Sequence, residues 1–241
     1  MKSTMLSLTV LMAASTAFAG LTETGSSRFV DGVVNNGLSG GSNVTVPYSE
    51  VGPASGSWTG GDYISSFGNP ADPYSDADMY QSSTIEPGHY YGTIYTGVIV
   101  DPANNSLNFP SSDAQAFFSV DFTLSTSEDF TLTGWINPYG LENGITSQVT
   151  VSIINTGIGG TPTQIIASGV NDLYQPFNVS DTLLAGDYRF EVNAVSNAQA
   201  LGETYYFNGG ADSTWDMTIT PEPASLALLA MGGLVCVRRR R

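Results

Sequence analysis

The chain has 241 residues, only 12% of them charged, and its 22 acidic side chains against seven basic ones give a net charge of −15. Such a surface has too few cations to displace the counterions of a phosphate backbone, which argues against nucleic acid as a partner and disfavours anionic lipid. It keeps the protein soluble and attracts divalent cations.

At the N-terminus Lys2 precedes an apolar run from Met5 to Ala14, followed by Ala17-Phe18-Ala19 and Gly20. This is the layout of a secretory signal peptide, so residues 1–19 are expected to be removed by signal peptidase after export. Between Gly20 and Thr220 only Arg28 and Arg189 are basic, against the 21 acidic residues left when Glu222 is set aside, a net of −19. The single cysteine, Cys236, falls outside that stretch, so the exported part has no disulfides. About 200 residues are enough for one substantial core, and 20–220 is expected to be one ectodomain.

From Gly20 to Gly61 the hydrophobic pattern is diffuse, with Val44, Val46 and Tyr48 alternating in one short strand. Gly37-Leu38-Ser39-Gly40-Gly41 matches a nucleophile-elbow string without the strand and helix that the mechanism requires, and is read as chance. Asp62 to Tyr80 reads as a long loop with Pro70, Pro73 and the carboxylates Asp72, Asp76 and Asp78. Those three could offer the hard oxygen ligands that calcium takes, or form only a solvated acidic loop.

Gly88 to Val100 is expected to be a strand with Ile94, Val98 and Val100 inward and Tyr91, Thr93 and Tyr95 outward. Treated as successive outward residues, Tyr91 and Tyr95 would stand roughly 7 Å apart, a spacing at which flat rings could stack on sugar units. Aromatic cover of a sheet is the alternative. Ala116 to Ser125 alternates most cleanly, with Ala116, Phe118, Val120, Phe122 and Leu124 on one face and Phe117, Ser119, Asp121, Thr123 and Ser125 on the other. Phe130, Leu132 and Ile136 continue that face in the next strand, with Trp135 opposite them near a Pro138-Tyr139-Gly140 turn. Further strands are expected at Val149–Ile153, Thr163–Ala167, Phe177–Val179, Gly186–Ala194 and Trp215–Ile219. In Gly186–Ala194, Arg189 between two carboxylates reads as a surface pair of little weight.

No helical periodicity occurs between Gly20 and Thr220. Eight or nine short strands with turn residues between them predict an all-β fold, an antiparallel β-sandwich of jelly-roll or immunoglobulin-like kind.

Beyond it, Pro221-Glu222-Pro223-Ala224 opens an apolar segment that runs to Val237 and ends in Arg238, Arg239, Arg240 and Arg241. The arginines would act as a stop-transfer cluster, held on the cytoplasmic side by the cost of desolvating them. Ala224 to Val237 would rise only about 20 Å as a helix, short of the ~30 Å hydrocarbon core, which suits a transient membrane substrate better than a lasting anchor. The order Pro-Glu-Pro, short apolar helix and Arg cluster resembles the PEP-CTERM sorting signal of Gram-negative bacteria. That resemblance implies export through the inner membrane, removal of the tail by exosortase, and delivery to the cell surface, outer membrane or extracellular matrix.

Catalytic groups are scarce. His89 is the sole histidine, no lysine follows Lys2, and no cysteine lies in the exported part, so Schiff-base and thiol chemistry have no carrier. Paired carboxylates, as glycosidases use, are too numerous in combination to single out. The expectation is a non-enzymatic surface protein with a structural or adhesive role in exopolysaccharide or biofilm. A carbohydrate-binding module using Tyr91, Tyr95 and Trp135 is the alternative, and a polysaccharide-active enzyme a weaker one.

Overall fold

A computed structural model describes residues 20–37, 45–66, 73–103, 108–140, 144–157, 164–170, 174–200 and 206–220. The signal peptide, Asp72, the sorting residues Pro221 to Ala224 and the cluster Arg238 to Arg241 lie outside the described residues.

The described chain is all β. Its twelve strands are β1 (Leu21–Asn35), β2 (Thr45–Val51), β3 (Gly56–Ser65), β4 (Tyr74–Glu86), β5 (His89–Asp101), β6 (Ser111–Leu124), β7 (Glu128–Tyr139), β8 (Ile145–Asn155), β9 (Gln164–Val170), β10 (Gln175–Leu183), β11 (Gly186–Gln199) and β12 (Phe207–Thr220). They form two six-stranded sheets, in the orders β2-β1-β6-β11-β8-β9 and β10-β7-β12-β5-β4-β3, with every pairing antiparallel. Strands from the first hundred residues occur in both sheets beside strands from the second half.

The sheets pack face to face through the residues that the alternation places inward. Phe118, Phe122, Leu124, Phe190, Val192 and Trp215 are all buried, as are Ile94, Val98 and Val100. Between the sheets the Phe118 ring meets Trp215 with centroids 5.0 Å apart, and Tyr90 meets Phe122 at 6.0 Å. Each such aromatic gains about 2–3 kcal/mol by leaving water. Polar ties also join the sheets: the buried hydroxyls of Thr96 on β5 and Ser196 on β11 lie 2.8 Å apart, Ser112 on β6 donates to the Asp76 carbonyl on β4, and the Ser75 hydroxyl on β4 donates to the Asn35 carbonyl on β1 at 2.8 Å.

Three strands go beyond the nine that periodicity predicts: β1, β3 and β4. The largest correction concerns Asp62 to Tyr80. Asp62 lies in β3, and Asp76, Asp78 and Tyr80 lie in β4, so Asp76 and Asp78 sit on paired strand and not on a loop. Pro138 and Tyr139 likewise end β7 and form no turn. Proline is tolerated there because β10 pairs with β7 only as far as Ile136, which leaves Pro138 with a single neighbour, Ala211.

Arg28 is the feature that composition hid. Inward-facing on β1 and fully buried, it donates from Nε to the Pro53 carbonyl at 2.9 Å, from Nη1 to Gly56 at 2.9 Å and Ser83 at 3.3 Å, and from Nη2 to Ser55 at 3.1 Å and to Pro53. The guanidinium carbon lies 6.0 Å from the Trp58 ring centroid. One side chain thus ties the β2–β3 connection to β1 and β4. Arg189 does the opposite job at the surface: it forks onto Asp121, its cross-strand partner on β6, at 2.7 and 3.1 Å, instead of its sequence neighbours Asp187 and Glu191.

Candidate functional site

The outward face of the second sheet gathers the residue types that matter for recognition. Its register sets them in rows. One row runs Gly61, Tyr80, Tyr95, Asp212, Asn137 across β3, β4, β5, β12 and β7. The next runs Tyr63, Asp78, Gly97, Gly210, Tyr139, and the one beyond it Ser65, Asp76, Ile99, Asn208.

The middle row makes a trough. Gly97 and Gly210 are directly paired, and the Tyr95 and Tyr139 rings lie down over them: a Cβ on Gly97 would run into the Tyr95 hydroxyl, and one on Gly210 into that of Tyr139. The two hydroxyls are 3.3 Å apart. Glycine inside a strand costs packing, and the return here is that two flat rings can rest on the sheet. Tyr63, Asp76 and Asp78 wall the other side of a depression of about 170 Å3, and Asn208 also lines it.

The carboxylates of this trough are poorly compensated. Asp76 is only 7% exposed, and its Oδ1 is buried without a hydrogen-bond partner. Burial, with a smaller contribution from Asp62, pushes the Asp78 carboxyl above the usual range. Asp212, beside Tyr95, is also raised by burial, against the lowering effect of its bond from Asn137, and its Oδ1 is likewise buried and unpartnered. Burial and the facing Tyr139 hydroxyl, with smaller effects of Asp78 and Asp212, raise the Tyr95 phenol, and burial and Asp76 raise that of Tyr63.

The residues expected from sequence to form a sugar platform do not sit together. Thr93 stands between Tyr91 and Tyr95, so the rings are two outward steps apart, about 13 Å and not 7 Å. Tyr91 packs against His89 with centroids 4.6 Å apart and belongs to a separate depression of about 300 Å3, lined by Ser82, Thr84, Thr93 and Asp216 among others. Trp135 pairs with the exposed Tyr174 at 5.9 Å, nearer the β10 edge. Conversely, Asp76 and Asp78, assigned to a possible calcium loop, line the same depression as Tyr95. Asp72, the third member of that calcium set, lies outside the described residues, and among the described residues no group of three or more Asp, Glu, His or Cys side chains is placed to hold a metal.

Sequence reasoning missed Tyr63, Tyr139, Asn208 and the two glycines, because only strand pairing brings β3, β7 and β12 to β4 and β5. A signal did exist in Gly97 and in Gly209-Gly210, glycines inside strand patterns, which mark a close approach. His89 sits between two carboxylates: its Nε2 lies 3.0 Å from Asp216 Oδ1 and its Nδ1 3.9 Å from Glu86. The trough as a whole offers acceptors, phenol donors and flat apolar surface, a set suited to holding a polyhydroxylated or cationic ligand.

Comparison with known proteins assigns the tail. Residues 220–241 match the PEP-CTERM protein-sorting motif, so the chain carries the signal of an exported, exosortase-processed protein sorted to the cell surface. No curated protein matches the chain. Among solved structures, that of infectious bursal disease virus Gx strain is similar at 14% identity and a TM-score of 0.29, covering 83% of this chain and 58% of that one. The structure of the Gt strain is similar at 13% identity and a TM-score of 0.19, with 85% and 67% covered. The chain thus spans under two thirds of the first of these, and at such TM-scores the likeness says nothing about function.

Proposed function

We propose that the exported sandwich is a non-catalytic component of the cell surface or extracellular matrix, with a structural or adhesive role among exopolysaccharide chains. The sorting motif at residues 220–241 carries this reading, because it marks the domain for delivery to the cell surface. In support, the outward face of the second sheet presents tyrosines, carboxylates and hydroxyls in register over several strands. Adhesion through glycan contact is favoured within this reading by the trough at Tyr95 and Tyr139.

Two measurements test it. Intact mass of the surface-extracted protein should place the new C-terminus near Pro221 to Ala224; a mass that still includes Arg238 to Arg241 would leave an unprocessed anchor. Cells lacking the gene should shed matrix polysaccharide or lose cohesion, with recovery on adding back the purified ectodomain. Depolymerisation of that polysaccharide by the purified protein would replace the structural reading with an enzymatic one.

A further inference from the structure

Resting on the reading of a matrix protein, we propose that the trough over Gly97 and Gly210 binds an amino-sugar residue of a polysaccharide through its free, protonated amine, with Asp76 and Asp78 pairing the ammonium and the Tyr95 and Tyr139 rings supporting the sugar.

Arg28 and Arg189 are the only basic residues between Gly20 and Thr220. Arg28 is buried among the carbonyls of the β2–β3 connection, and Arg189 is forked onto Asp121 of the other sheet. Neither is engaged with the trough, so Asp76 and Asp78 have no protein cation there. A carboxylate nine-tenths out of water with an idle oxygen is costly unless something meets it in another state of the molecule. The Asp76 Oδ1 is such an oxygen.

The shape of the site decides which cation. Calcium takes six to eight oxygens from carboxylates, carbonyls, amides and water, and the trough gathers two carboxylates and one amide, its other side-chain oxygens being the phenols of Tyr63, Tyr95 and Tyr139, which are not of that kind. An ammonium needs fewer partners: three donors can be shared between Asp76 and Asp78, and tyrosine faces favour the positive charge. A neutral sugar could donate a hydroxyl to Asp76 but would leave the charge unanswered. The rings lying over Gly97 and Gly210 add an apolar floor that a bare inorganic ion could not use. Amine and sugar ring on one ligand match both halves of the site.

The test is calorimetric titration of the purified ectodomain at about 150 mM salt, where the Debye length is ~8 Å and diffuse attraction to the acidic surface is screened. The probes are a β-1,4 glucosamine trimer, its N-acetylated counterpart, cellotriose, spermidine and calcium chloride. The free-amine trimer should bind about tenfold or more tighter than the N-acetylated and neutral trimers, as expected for a charge-assisted pair. Asp76→Asn and Asp78→Asn should each weaken it about tenfold or more, and Asp31→Asn, an exposed carboxylate on the other sheet, should change nothing. Asp76→Asn should melt no lower than the parent, since it removes a buried unanswered charge; if it fails to fold, the less buried Asp78→Asn carries the test.

Equal binding of amine and N-acetyl trimers would overturn the assignment. So would spermidine binding as tightly as the amino-sugar, or calcium binding that disappears in the same variants without trimer binding. Retention of the ectodomain on polysaccharide from the native matrix is measured in parallel. Retention without amine discrimination leaves the matrix reading standing and removes this site; trimer binding without retention does the reverse.

Discussion

The exported part has two arginines, and they behave oppositely because of what surrounds them. Arg189 is part-exposed in a forked pair with Asp121, so Arg189→Ala should cost about 1 kcal/mol or less in urea unfolding. Arg28→Ala should cost about 2–4 kcal/mol, because it strips donors from the carbonyls of Pro53, Ser55, Gly56 and Ser83, of which the surface ones can partly rehydrate. Lysine should restore little of that loss, since a point charge cannot span a fan of carbonyls that a planar fork reaches. Similar losses at the two positions would mean that the Arg28 cluster does not hold the β2–β3 connection. Nothing in composition separates the two residues; the burial of Arg28 follows from its inward parity on β1 with Val30 and Val34, and β1 itself was too rich in Gly, Ser and Thr to be seen.

Strands that alternate large apolar with polar residues were legible, and strands whose inward set is small or polar were not. In β6 the inward Phe118, Val120, Phe122 and Leu124 announce the face, and Phe122→Ala is expected to cost about 3–5 kcal/mol. Asp121→Ala, one residue away on the other face, should cost about 1 kcal/mol or less, the worth of its part-exposed pair with Arg189. Comparable losses at the two positions would invert the strand. In β4 the inward positions are Ser75, Ala77, Met79, Gln81, Ser83 and Ile85, with Asp76 and Asp78 outward, so the hydrophobic signal is faint and acidic residues suggest a loop. Long-range pairing with β3 and β5 overrides that local preference. The candidate site suffered from the same blindness: Tyr95, Asp76 and Asp78 were each visible as residues, but their neighbourhood is a product of register. Tyr139 joins them only because β12 sits between β7 and β5.

For the whole molecule the governing fact is a net charge near −19 over residues 20–220, with the two arginines both engaged. Folding concentrates those carboxylates and withdraws some from water. Asp78, Asp113, Glu191 and Asp212 are all pushed above the usual carboxylate range, in each case chiefly by burial. A carboxyl with a raised pKa in the folded state binds its proton there more readily than in the unfolded chain. Its contribution to stability is therefore fully present below the ordinary carboxylate pKa, about 4, and is lost as pH rises through the raised folded value. The melting temperature should accordingly increase as pH is lowered from 7.5 toward about 5, the reverse of the behaviour expected of a protein held by salt-bridged carboxylates. Raising sodium chloride at pH 7.5 should move it the same way, because screening relieves the same repulsion. Asp78→Asn should reduce the pH dependence while leaving the salt effect largely in place, since one buried carboxylate titrates locally but diffuse repulsion belongs to the entire surface. A melting temperature that falls steadily between pH 7.5 and 5 would show that carboxylate hydrogen bonds, such as that from Thr123 to Asp187, outweigh the buried charges.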